Sequence, residues 1–435
     1  MRPRRDAGGL ARARGGDPAP ARGPGGGART RCEGPPALRR AVQLPRRPGR
    51  AVPAGRAPRR VAPSVTVKIL IIARPFVFHG GVEQATAGLV QALAEHGYDV
   101  HVLSPPGQRP IAGVARHVLP LPPLPSALRV LATAALARVV VSRGRWDVVQ
   151  THERTLRQDI YRAGEGCHRA YLESMGAPRR RSLFHRVVLG LERRVFATTP
   201  HIIAISRSGA TEIAALYGVA RDRLSVVYNG VDLERFHPRN RHVERRGARA
   251  EIGVAADAWT LLFVGSGFER KGLATAIDAF AALADRSSRL VVVGKGSTQP
   301  FRDRATRLGV DRRIAWLGPR PDIERWYAAA DVVVLPSRYE PFGNVHLEAL
   351  ASGVPVVASA AAGGAEVIVD GGGGAVVDPR DAGAVATALG RLREKNPAEL
   401  AAAARRAAEP FTFTAQVAGF QRVYRRITAA TSDFS

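Results

Sequence analysis

Two successive series of apolar strand-like runs alternating with helix-like stretches, joined by a charged, turn-rich connector, predict an α/β protein of two Rossmann-like domains facing across a cleft. Three observations carry this expectation. The strands are near-continuous Val, Ile and Leu rather than alternating, as in parallel sheets covered on both faces. At 435 residues the chain is long enough for two domains. Several strands run into glycine-bearing loops just before a helix, the place where open parallel sheets bind ligands.

Residues 1–66 stand outside both series. They hold 16 Arg, no Lys and three acids, and so supply thirteen of the +28 formal charges. Built almost wholly of Arg, Pro, Gly and Ala, with no hydrophobic period and no apolar h-region, they are expected to be a disordered extension and not a secretory signal. They read as upstream sequence before an ordered start near Val65 or Val67, with a nucleic-acid arm or a transit-like peptide as lesser alternatives. Met1 and Met175 are the only methionines, so that start would need a non-AUG codon. A charge of +28 would ordinarily suggest nucleic acid or an anionic membrane. Its concentration in the extension, and the lack of a recognised nucleic-acid motif, argue against a nucleic-acid partner. No apolar run approaches the roughly 20 residues of a membrane span, so a soluble or peripheral protein is expected. Cys32 and Cys167 form neither a disulfide framework nor a zinc spacing, which suits a reducing cytosol.

The first domain is expected over residues 67–235. Its strand-like runs are VKILIIA, YDVHVLS, VARHVLPL, DVVQTH, HIIAIS and LSVVYNG, with helix-like stretches at about 82–96, 125–144, 154–175, 182–196 and 207–217. Gly80 and Gly81 directly precede a helix and would let the backbone approach a ligand, although such a pair is more often a mere turn. His152 follows Gln150 and Thr151 at the end of a strand, where a histidine can serve a site or simply the fold. Residues 155–196 mix aromatic and apolar side chains with nine arginines, among them Arg179, Arg180 and Arg181. Such a segment either lies on an anionic membrane or is a helical hairpin with solvated charges.

The second domain is expected over residues 236–410, with strands TLLFVGSG, RLVVVGKG, RIAWLGP, DVVVLPS and VPVVAS. Residues 411–435 follow as a helix returning to the first domain and a tail. The GKG at 294–296 is too short for a dinucleotide fingerprint, and no GxxxxGK[ST] is present. Arg270 and Lys271 lie between a strand end and a helix, where a guanidinium fork and an ammonium can neutralise a diphosphate, although such a dipeptide alone is more often solvated surface. The run DVVVLPSRYEPFGNVHLEALASGVPVVAS reads as strand, loop, short helix and strand. Phe342, Gly343 and Asn344 offer successive amides at the helix start, favourable to an anion. Glu340 precedes that start and Glu348 sits about a turn inside. By themselves the two acids are equally consistent with solvated charges.

Taken together, Gly80-Gly81, Arg270-Lys271 and Glu340-(seven residues)-Glu348 resemble the retaining glycosyltransferases of family GT4, whose fold is GT-B, from Val67 onward. VGSGFERKG, EPFGNVHLEALASGVPVV and YRAGEGCHRAYL look most like the lipopolysaccharide core glucosyltransferase I group. The resemblance implies a hexose, glucose from UDP-glucose, moved to the heptose region of a lipid-linked core oligosaccharide at the cytoplasmic face of the inner membrane. By position it implies that Arg270 and Lys271 bind the pyrophosphate, Glu348 the ribose and Glu340 the transferred sugar. The amides of Phe342–Asn344 orient sugar and phosphate, Gly80 and Gly81 let the first domain approach, and His152 stands near the sugar. Glu340, His152 and Lys271 are the residues implied in catalysis, with no cofactor and no metal. Rivals are another donor (mannose, galactose or N-acetylglucosamine) on a different envelope glycan, a sugar-nucleotide epimerase and, in another class, a nucleic-acid-binding protein.

Overall fold

The computed structural model describes residues 66–76, 81–176, 182–283 and 285–432, all within one compact unit. The readings made for residues 1–65, Gly80 and Arg179, Arg180 and Arg181 lie outside the described residues. Strands β1 (Lys68–Ile72), β2 (Asp99–Ser104), β3 (Val114–Val118), β4 (Val148–Thr151), β5 (Ile160–Arg162), β6 (His201–Ala204) and β7 (Leu224–Val226) form a parallel sheet in the order β3-β2-β1-β4-β5-β6-β7. Strands β8 (Thr260–Val264), β9 (Arg289–Val293), β10 (Ile314–Gly318), β11 (Val332–Leu335), β12 (Val356–Ser359) and β13 (Gly374–Val377) form a second parallel sheet, ordered β10-β9-β8-β11-β12-β13. Each order reverses once, between β1 and β4 and between β8 and β11, and in such sheets the crevice beyond the strand C-termini at that point receives ligands.

Every residue of β4, β8, β11 and β12 is buried, which is why these runs read as continuous apolar stretches. The helix Phe413–Ser432 returns to the first lobe as expected. Val417, Phe420 and Val423 recur at helical spacing and join the core of Ile69, Leu89 and Leu93. Burying such side chains contributes about 1.5–3 kcal/mol each, enough to hold the chain end across both lobes.

The helix expected over 154–175 is a correction. Residues 155–159 are loop and turn, Ile160–Arg162 is strand β5 between β4 and β6, and only His168–Met175 is helical. Ile160 and Tyr161, 0% and 1% exposed, fill the interior on both faces of a three-residue strand too short to declare a period. The amphipathic reading of this segment narrows in consequence, because Tyr161, Arg162 and Leu172 are buried. The exposed arginines described in this segment are Arg157, Arg169 and, on the helix Leu183–Thr198, Arg186, Arg193 and Arg194 beside an exposed Leu183. Among the described residues no helix is long and apolar enough to cross a membrane.

Candidate active site

At the switch point of the second sheet, the loops after β8 and β11 lock together. The Arg270 carbonyl accepts from the Arg338 amide at 2.8 Å. Gly272 is left-handed (φ 76°), and a Cβ there would stand 1.9 Å from the Pro336 carbonyl oxygen, so only glycine permits this approach. The result brings three of the predicted residues into one cluster. Arg270 Nη1 donates to Glu340 Oε2 and to the Tyr339 carbonyl, both at 2.9 Å, and Lys271 Nζ donates to the same Glu340 oxygen. Burial alone would raise the Glu340 carboxyl, but Lys271 and Arg270 hold it down at about 2. Burial lowers the Lys271 ammonium, opposed by Glu340. The family resemblance implies the cations for phosphate and the acid for sugar. Here they are one charge-paired unit, so a ligand that takes up the cations also frees the acid.

The helix Asn344–Ala351 starts on left-handed Gly343 (φ 88°), while Phe342 is buried against Tyr228 in the core. Asn344 and Glu348 face a cavity of about 400 Å³ between this helix and Gly81–Glu95 of the first lobe, whose walls include Gln91, Ile111, Arg235 and Phe413. That size suits a small ligand. Tyr327 Oη donates to Glu348 Oε2 at 2.8 Å. Burial raises the Glu348 carboxyl, with the Tyr327 hydroxyl and Arg235 opposing.

His152 stands at the switch point of the first sheet, its amide bonded to the Ile72 carbonyl at 2.8 Å. Tyr424 Oη, from the returning C-terminal helix, donates to Gln150 Oε1 at 2.7 Å. The Gln150 amide nitrogen therefore faces His152 Nε2 at 2.8 Å, and His152 Nδ1 faces Thr86 Oγ1 at 3.4 Å. This order makes Nε2 the acceptor and puts the ring proton on Nδ1. Burial and then Arg162 keep the imidazole pKa well below its ordinary value. His152 and Arg162 line a small pocket with Arg74, Thr86, Glu153 and Glu165.

Polar contacts hold the lobes together. Arg162 Nη2 donates to Asn229 Oδ1 (2.5 Å), whose Nδ2 donates to Asn344 Oδ1 (2.6 Å). Glu366 accepts from the amides of Arg207 (3.1 Å) and Ser208 (2.7 Å) and from Tyr228 Oη (2.7 Å). Tyr339 Oη accepts from the Cys167 amide (2.9 Å) and donates to Glu212 (2.8 Å). Asn229, Glu366, Tyr339 and Arg162 were not anticipated as partners. Asn229 in VVYNG, beyond the last strand of the first series, was the one positional hint. Among the described residues no group of three or more His, Cys, Asp or Glu is arranged to hold a metal ion.

Comparison with known proteins agrees with this fold. The sequence profile "Glycosyltransferase Family 4" matches residues 79–235, and "Glycosyl transferases group 1" matches 258–395. A D-inositol 3-phosphate glycosyltransferase of Acidothermus cellulolyticus is 32% identical over 406 residues, 81% of this chain and 88% of that protein. D-inositol 3-phosphate glycosyltransferase 1 of Catenulispora acidiphila is 36% identical over 225 residues, but the match spans 48% of this chain and only about half of that relative (53%). Among solved structures, WaaG, a glycosyltransferase involved in lipopolysaccharide biosynthesis, superposes with TM-score 0.71 at 23% identity, covering 83% of this chain and 99% of its own. Anabaena Alr3699/HepE in complex with UDP and glucose superposes with TM-score 0.64 at 22% identity, covering 83% and 100%. The two parallel-sheet lobes, the charged cluster at the second switch point and these matches place the chain in glycosyltransferase family 4, on the GT-B fold.

Proposed function

We propose that this glycosyltransferase is a retaining, metal-independent hexosyltransferase that moves glucose from UDP-glucose onto the heptose region of the lipopolysaccharide inner core, at the cytoplasmic face of the inner membrane. The observation that carries the donor half is the Arg270–Lys271–Glu340 cluster at the switch point of the second sheet, with Lys271 close enough to Glu348, which lines the interlobe cavity, to feel its charge. Arg270, Lys271 and the amides at Phe342–Asn344 take the diphosphate, Glu348 the ribose hydroxyls, and Glu340, released from its cations, a hydroxyl of the sugar. His152 and the Gly80-Gly81 pair serve from the first lobe. The bond from the anomeric carbon to the diphosphate oxygen breaks as the acceptor oxygen bonds the same face, and the acceptor proton passes to the departing phosphate oxygen. Fixed cations stabilise that leaving group without reorganising. The exposed arginines of the helix Leu183–Thr198, together with Arg179, Arg180 and Arg181, supply the membrane surface. Neutralising those last three should weaken binding to anionic vesicles, and unchanged binding would count against this surface.

A second reading has its own support. The curated relatives named above are D-inositol 3-phosphate glycosyltransferases, which favours a small phosphorylated polyol as acceptor. The test crosses UDP-glucose, UDP-galactose, UDP-N-acetylglucosamine and GDP-mannose with deep-rough lipopolysaccharide and D-inositol 3-phosphate, with and without EDTA. Glucose transfer to the lipopolysaccharide, unaffected by EDTA and α-configured by NMR, is the expected result. Transfer confined to the inositol phosphate would replace the acceptor, and no transfer from any donor would overturn the reading.

A further inference from the structure

Arg162 ends strand β5 with its side chain buried, 1% exposed, and among the described residues no carboxylate lies within ion-pair distance of it. Of its five N–H donors, Nη2 reaches Asn229 Oδ1 at 2.5 Å, and buried Nε has no partner. Nearby acids are committed elsewhere. Glu153 and Glu165 hold Arg74 at 2.9 and 2.7 Å, while Glu165 and Glu192 hold Arg154 at 3.4 and 2.8 Å. Burial lowers the Arg162 guanidinium to about 10, still charged at neutral pH. A buried cation without a counter-charge is costly, and a guanidinium fork matches the oxygens of a phosphate or carboxylate.

The surroundings keep the fork approachable. Residue 164 is glycine, and a Cβ there would lie 2.5 Å from Arg162 Nη1. Neutral His152, Thr86, Arg74 and the carboxylates Glu153 and Glu165, both paired with Arg74, complete a pocket of about 20 Å³, room for one oxygen-sized group at its base. The pocket belongs to the first lobe, whereas the cations set against the donor diphosphate, Arg270 and Lys271, belong to the second.

We propose that Arg162, with Thr86 and His152, forms a binding site for an anionic group, a phosphate ester or a carboxylate, carried by the acceptor. This rests on the transferase reading above. The full chain, saturated with UDP so that the diphosphate site is filled, is titrated calorimetrically with glucose 6-phosphate, inorganic phosphate and glucose. Wild type should bind the two phosphates more tightly than glucose. Arg162→Met should lose at least tenfold in phosphate affinity, and Arg162→Lys less. UDP affinity, measured separately, should not change. Arg162→Met loses no ion pair but gives up the hydrogen bond to Asn229, so binding is read on protein shown to be folded by circular dichroism. Should it fail to fold, Gly164→Ala serves instead, since the added methyl covers Nη1 and should weaken phosphate binding by a similar factor. Phosphate affinity unchanged in the variant would overturn the site. A matching loss of UDP affinity would reassign Arg162 to the donor and overturn it too. Arg162-dependent phosphate binding in a chain that transfers no sugar would support the anion site while overturning the activity.

Discussion

Two acids flank strand β11, and each gathers cations, yet the sites are unlike. Before the strand, Asp331 accepts from Arg241, Arg245 and Arg249, each at 2.7 Å, and from the Thr260 amide at 2.9 Å. Those arginines come from the helix Asn240–Glu251, and Arg249 spends its other donors on the carbonyls of Ala255, Ala256, Ala258 and Ala329. Beyond the strand, Glu340 holds Arg270 and Lys271, which come from a loop and not from a packed helix. The composition of the two clusters barely differs. The difference is which end of a parallel strand they occupy, since the carboxyl end faces the crevice and the amino end faces covering helices. Asp331 closes a structural joint, and Glu340 sits where a ligand can compete for its partners.

That contrast can be broken by experiment. The largest effect should follow Asp331→Ala, which leaves three arginines converging on nothing. Losing one partner of a buried ionic group costs about 3–5 kcal/mol, measurable by denaturant unfolding, while transfer per folded molecule should persist. Lys271→Ala should do the reverse, lowering turnover by about 10²–10³, the scale for losing one preorganised electrostatic stabiliser, with a smaller loss of stability than Asp331→Ala because Arg270 still pairs with Glu340. Should either variant show the other's signature, the assignment of joint and site fails.

Protonation sharpens the same division. The Glu340 carboxyl is held down at about 2, so its pairing contributes stability above the ordinary carboxyl value and loses it as pH falls toward 2. Wild type should therefore exceed Glu340→Gln in stability above pH 5, with the gap closing on acidification; a gap independent of pH would show that Glu340 is not ion-paired in solution. Glu348 works in the opposite sense. Its raised carboxyl contributes stability below the ordinary value and loses it as pH rises through the folded value. Glu348→Gln should therefore be at least as stable as wild type near pH 8, within about 1 kcal/mol, while nucleotide affinity drops several-fold by calorimetry. A large destabilisation would make Glu348 a structural residue.

Legibility in the sequence followed locality. Arg270-Lys271 and the Glu340–Glu348 run are short segments whose strand, loop and helix signals sit side by side, so their place at a strand end could be read directly. Strand β5 could not, because three residues in a Tyr- and Arg-rich stretch carry no period and are held by neighbours on both sides. The His152 tautomer was equally hidden: it depends on Tyr424, 272 residues later in the chain. In the sequence Arg162 is one of nine arginines of residues 155–196, and only its burial separates it from the others described.

By itself the sequence determined two parallel α/β lobes, because runs of branched apolar residues between amphipathic helices bury both sheet faces in no other way. It also determined which segments bring cations and acids to the second switch point. The tertiary structure alone decided that Arg270, Lys271 and Glu340 share one ion cluster, that Asp331 does not belong to it, and that a buried arginine in the first lobe stands without an acid among the described residues. Those facts are set by contacts between segments tens to hundreds of residues apart, and neither composition nor periodicity records which charges meet once the sheets are stacked.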